Sequence, residues 1–153
     1  MFNYCSIIWM FCGKTAHDKI DKIQKRALQA LYNDFESNFN SLLNKGNHLT
    51  IHELNKRKLL IEVYKCVNKL APPFLNDIFK IRNTHQSLRI NDTLVLPKTS
   101  TKSWGLHSIA YRGSRSWNSL SDTIKSLPSL SQFKNHLQTI DTIQCSCKLC
   151  NLV

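Results

Sequence analysis

The sequence predicts a mainly α fold: a small helical bundle with a short β-hairpin in the C-terminal half. Three observations carry that expectation. Apolar residues recur at helical spacing through two long stretches, residues 15–32 and 50–70. Each stretch opens on a hydroxyl residue followed three positions later by an acid, the pattern of a capped helix start. Beyond residue 83 only two short runs have strand-like character. At 153 residues and 42% apolar, the chain is long enough for one domain or slightly more, with a modest core.

Taken in order, Phe2 to Cys12 is nearly all apolar and reads as a buried helix that Gly13 ends. The tract has no basic residues before it and no small-x-small site after it, so it does not read as a signal peptide. No run approaches the ~18 apolar residues of a membrane span, so no membrane partner is expected. Thr15 and Asp18 then start a helix running to about Tyr32. Ile20, Ile23, Ala27, Ala30 and Leu31 fall on one side of it. Lys19, Lys22, Lys25, Arg26 and Gln29 fall largely on the other. That basic side is either a solvated surface or a track for a phosphate backbone.

Residues 33–38 form a polar break, and Phe39 to Asn44 a short helix closed by Gly46. Thr50 and Glu53 make a capping box for the longest helix. Lys56, Arg57 and Lys58 make its start basic. Leu59, Leu60, Ile61, Val63, Tyr64, Val67 and Leu70 make the rest a core helix, stopped by Pro72 and Pro73. Phe74 to Ile81 allows one or two more turns, and a polar loop follows from Asn83. Leu94 to Leu96 and His107 to Tyr111 are the expected strand pair, with Gly113 at the turn. Ser116 to Leu120, Asp122 to Leu127 and Ser131 to Ile140 are helical. The expected organisation is a helical segment 1–81, a mixed segment 82–140 and a Cys-rich tail 141–153.

The net charge of +11 and pI near 9.6 favour a polyanionic partner, either nucleic acid (RNA or DNA) or an anionic membrane surface, against the plainer reading of a solvated basic surface; of these, nucleic-acid contact is the expectation. Trp104, Tyr111 and Trp117 interleave with His107, Arg112 and Arg115, a mixture that can stack bases and neutralise phosphates. Trp117 reads more simply as core, at helical spacing from Leu120, and Arg112 and Arg115 keep the binding role. The candidate nucleic-acid residues are therefore Lys19, Lys22, Lys25, Arg26, Lys56, Arg57, Lys58, Arg112 and Arg115.

Catalytic chemistry has little to stand on. The acids are seven Asp and three Glu, none adjacent, so no paired carboxylates for a two-metal site are evident. No phosphate-binding glycine loop, nucleophile elbow or zinc-protease helix motif occurs. Of six cysteines, Cys5, Cys12 and Cys66 sit in apolar patterns as reduced core residues. Cys145, Cys147 and Cys150 form C-x-C-x-x-C, which can supply three of the four thiolate or imidazole ligands zinc takes. His136, a partner chain or a further segment would supply the fourth; otherwise the tail simply carries thiols.

An ordered set of short matches adds a resemblance. It comprises Asn3-Tyr4-Cys5, Ile8-Trp9 and Phe11-Cys12, then Ile20 with Ile23 through Leu28, and Tyr32 to Asp34. It continues with Tyr64-Lys65, Leu70 through Leu75, Gly105-Leu106, Ser108, Tyr111 to Gly113 and Trp117 to Leu120. Together these resemble the region C-terminal to the catalytic palm in reverse transcriptases of non-LTR retrotransposons, of the jockey-like or LINE type. Ser114 and Ser121 stand where that family often has Pro. The resemblance implies a thumb-like segment over 1–81 and a Cys-rich tail that contacts nucleic acid. It also implies a fragment: the family's aromatic-plus-Asp-pair polymerase signature is not in the chain, which as it stands is expected not to polymerise DNA. The expected setting is intracellular, cytoplasmic or nuclear. The competing expectation is a structural module that docks on a polymerase core or another protein and has no nucleic-acid role of its own.

Overall fold

The computed structural model describes residues 6–10, 12–82, 93–101 and 105–139. Among these residues it is mainly helical, with eight helices. They are α1 (Ser6–Trp9), α2 (Lys14–Tyr32), α3 (Phe39–Lys45), α4 (Ile51–Val67), α5 (Pro73–Asn76), α6 (Ile109–Asn118), α7 (Asp122–Lys125) and α8 (Leu130–Thr139). The chain divides into two compact units, Met1–Lys56 and Arg57–Val153, so that α4 contributes its first turns to one unit and the rest to the other.

In the first unit α2 starts at Lys14 with Gly13 at the N-cap and no side-chain cap, so Thr15 and Asp18 lie inside the helix rather than opening it. Asn33 ends it in the left-handed conformation (φ 49°), where its N–H reaches the Gln29 carbonyl. Asn38 caps α3 by accepting a hydrogen bond from Ser41 N–H. Leu28 of α2 packs with Leu42 and Leu43 of α3, flanked by Tyr32 and Phe39. The predicted capping box forms as read. Thr50 N–H donates to Glu53 Oε2 (2.9 Å), and Glu53 N–H donates to Thr50 Oγ1 (3.2 Å). Met10 and Ser6 are buried as expected of the first apolar tract, but Ile8 is exposed.

Gln24 ties this unit together. Its Nε2 donates to the Leu49 carbonyl (2.8 Å), and its Oε1 accepts from Ile51 N–H (3.0 Å). One carboxamide thereby holds both ends of the chain entering α4.

The second unit is built on three rings. Tyr64 of α4 stacks on Phe133 of α8, with centroids 4.4 Å apart. Trp117 of α6 lies 6.4 Å from Tyr64 and 6.0 Å from Phe133. All three are essentially buried, and the Tyr64 hydroxyl donates to the Leu127 carbonyl at 2.7 Å. Leu60, Val63, Phe79, Leu94, Leu120, Ile124 and Leu137 complete this core. It spans both sides of position 81, where composition had suggested a boundary.

Three expectations are corrected here. The core helix ends at Val67, short of Pro72. Lys69 turns left-handed (φ 57°), Leu70 N–H returns to the Lys65 carbonyl, and Leu70 is exposed rather than core. A β-hairpin is not seen among the described residues: Leu94 pairs only with Ile81, in a single antiparallel bridge. The second expected strand, His107 to Tyr111, is instead the entry to α6, where Ser108 accepts from Tyr111 N–H as N-cap. The bridge itself is held by Arg82 N–H to the Thr93 carbonyl and Val95 N–H to the Lys80 carbonyl, and the other edge of Leu94 is taken by Asn118. Its Oδ1 accepts from Leu94 N–H (2.8 Å) and its Nδ2 donates to Leu94 C=O (2.9 Å). The backbone edge a further strand would need is thus already occupied.

Gly113, expected at a turn, lies buried inside α6. A Cβ there would sit 2.6 Å from Phe79 Cε1 and 3.0 Å from Val63 Cγ2. Its absence lets α6 approach the core closely. Gly113→Ala is expected to cost about 1–2 kcal/mol, the clash exceeding the ~1 kcal/mol gain in helix propensity. Thermal unfolding checks this; an unchanged or raised Tm would show that Phe79 yields freely.

Candidate nucleic-acid interface

At 100° per residue, α2 has three sides. His17, Gln24 and Leu28, with Asp21 and Tyr32 beside them, face the unit's interior; His17 and Leu28 are buried and the other three half-buried. Lys19, Lys22 and Arg26 line a second side and are all exposed. Lys25 stands at its border with the interior and is half-buried. Ala16, Ile20, Ile23, Ala27, Ala30 and Leu31 line the third.

The interior side is polar. His17 Nε2 donates to the Met10 carbonyl (2.8 Å), and its ring meets His52 edge to face at 5.1 Å. Asp21 lies near both rings. Burial pushes its carboxyl above the ordinary range, and the adjacent Asp18 adds to this, while His17 and His52 pull it back.

Asp18 stands at the edge of the basic side and is exposed, and Lys22, one turn on, is exposed as well. Asp21, on the interior side, precedes the half-buried Lys25 by one helical turn, an order that suits intrahelical pairing. Lys45 is committed elsewhere, to Asp34. The Lys45 ammonium, with the Ser37 hydroxyl and N–H, holds the Asp34 carboxyl well below the usual range. Lys19, Lys22 and Arg26 therefore remain as the open cationic stripe of this unit, about one helical turn between successive members.

The triplet Lys56, Arg57, Lys58 is not a patch. Consecutive helical residues diverge by 100°, and Lys56 is buried while Arg57 and Lys58 are half-buried. Arg57 Nη2 approaches the Gln138 carbonyl at a long 3.4 Å. In the second unit Arg115 is exposed on α6. Arg112, one turn before it, is half-buried: Nη2 lies 3.4 Å from His107 Nδ1, and Nε is buried without a hydrogen-bond partner among the described residues. Ser114 Oγ, beside it in sequence, is also buried and unpartnered among these residues.

Cys145, Cys147 and Cys150 lie outside the described residues. His136, their nearest candidate fourth ligand, is exposed in the last turn of α8. No cluster of metal-ligating side chains occurs among the described residues. Cys66 is a buried thiol whose pKa burial raises, as expected of a core cysteine. No helix among the described residues is long and apolar enough to cross a membrane.

Sequence reasoning passed over Gln24 and Asn118, the two amides that fix the extended segments. Nothing marks them in advance, because a polar residue inside a helix is ordinarily solvated. No family model, no curated protein and no solved structure matches this chain.

Proposed function

We propose that the chain is a non-enzymatic nucleic-acid contact module, corresponding to the post-palm region of a non-LTR retrotransposon reverse transcriptase. The observation that carries this reading is the exposed stripe Lys19, Lys22 and Arg26 on a helix whose opposite side is fixed by Gln24 and Leu28. Cations one turn apart on a rigid helix can meet successive phosphates without ordering cost beyond their own side chains. The net charge of +11 adds long-range attraction to the same polyanion. Arg115 offers one further exposed cation, and Arg112 one whose guanidinium is partly withdrawn. Catalysis is left to other parts of such a polymerase, since the sequence supplies no paired carboxylates. An intracellular setting, cytoplasmic or nuclear, goes with this reading.

A second reading, docking on a polymerase core or another protein, has its own support. Large apolar side chains stand in water on both units: Ile23 and Leu31 on α2, Leu70 just before α5 and Phe74 on it.

Affinity for single-stranded RNA is expected to fall as salt rises. Replacing Lys19, Lys22 and Arg26 together with Gln should flatten the log–log slope by about 2, at ~0.7 per phosphate contact. Absence of binding at low salt, or an unchanged slope, would remove the nucleic-acid reading. For the tail, three thiolates at C-x-C-x-x-C spacing fit a zinc site completed by one further ligand. Zinc content should drop in Cys147→Ser; equal content in both proteins would exclude the metal.

A further inference from the structure

The third side of α2 is the feature that phosphate contact does not use. Ile20, Ile23, Ala27 and Ala30 repeat at intervals of three and four, with Ala16 one turn before and Leu31 alongside. This is a coiled-coil seam rather than the broad face of a core helix. Yet Ile23 is 49% and Leu31 66% exposed, and Ala16, Ala27 and Ala30 are exposed with them. The unit buries a different side of the helix; Ile20 is half-buried, and the rest of the seam is uncovered in structure.

The borders of the seam say what fits it. On one border Gln24 is already bound to Leu49 and Ile51 and closes that edge against the unit itself. On the other stand Lys19 and Arg26, seven residues apart and both exposed. Asp18 and Asp21 lie farther round the helix, beyond these cations. A helix entering the seam therefore meets positive charge along its one open edge. An antiparallel second copy would set Lys19 against the Arg26 of the other chain, like charge on like. A membrane surface calls for bulky Trp, Phe or Leu; here three of six positions are Ala, which suits close approach of another helix.

We propose that this side of α2 docks an amphipathic helix of a partner protein whose apolar seam is bordered by Asp or Glu. The proposal rests on the docking reading and gives it a partner chemistry. Lys19 and Arg26 serve as the selective edge, and Ile23 and Leu31 as the buried contacts.

The test is calorimetric titration of the full chain with two designed helical peptides. They share an Ile/Leu/Ala heptad seam and differ only in carrying Glu or Lys along one edge. The Glu-edged peptide is expected to bind, with the Lys-edged peptide about tenfold weaker or more. Replacing Ile23 and Leu31 with Ser should weaken the Glu-edged peptide by about tenfold. Affinity for single-stranded RNA should persist in that variant. Arg26→Glu should move the preference toward the Lys-edged peptide. Equal binding of both peptides would overturn the acidic class while leaving docking intact. Failure of both peptides to bind would overturn docking itself. Self-association lost on the Ser substitutions would identify a second copy instead. Seam-dependent binding to phosphatidylserine vesicles would identify a membrane instead. Either result contradicts the proposal.

Discussion

Three rings from three helices meet at one point, and the second unit depends on that meeting. Tyr64, Trp117 and Phe133 come from α4, α6 and α8, and no two of them are neighbours in sequence. Each pair of rings adds about 0.5–1.5 kcal/mol to what burial alone contributes. The Tyr64 hydroxyl, which burial would otherwise penalise, is satisfied by the Leu127 carbonyl and pins the segment entering α8. Gly113 is the condition for this arrangement, because α6 can bring Trp117 inward only if nothing projects toward Phe79. Ring stacking, helix approach and the α7–α8 connection are thus one constraint.

The two units share a device. Gln24 and Asn118 each present a carboxamide to extended backbone, and each makes one bond as donor and one as acceptor. A primary amide has the donor and acceptor spacing of a peptide group, so it can stand where a neighbouring strand would. Asn118 does this for Leu94, on the edge opposite the Ile81–Leu94 bridge, where a further strand would otherwise pair. Gln24 does it at the entrance to α4, and in doing so sets which side of α2 faces inward. The exposure of Lys19, Lys22 and Arg26 follows from that orientation.

Helix positions were largely legible in the sequence. The Thr50–Glu53 box, the short helix from Phe39 closed by Gly46, and the core residues Leu59, Leu60, Val63 and Tyr64 form as local chemistry dictates, although Leu70 falls outside the core. The failures have physical causes. His107 to Tyr111 alternates like a strand, but Ser108 is equally an N-cap, and the rings that draw α6 inward are distant in sequence. Periodicity showed that α2 has an apolar side, and said nothing of which side would be covered; a polar side with Gln24 and His17 was chosen instead. Lys56, Arg57 and Lys58 looked like a patch because adjacency in a chain is not adjacency on a helix. Lys19, Lys22 and Arg26 were legible because spacing alone places them together. The Cys-rich tail lies outside the described residues and stands on sequence alone.

Under the proposed function, α2 has one side fixed by Gln24 and Leu28 and another, bearing Lys19, Lys22 and Arg26, that meets phosphate. Backbone amide NMR of the full chain during titration with single-stranded RNA at low salt tests this most directly. The account predicts that the largest shift changes follow Lys19, Lys22 and Arg26, with smaller changes near Arg115 and none ordered along Leu28, Leu42 and Leu43. Perturbations confined to the second unit, with α2 silent throughout the titration, would contradict it.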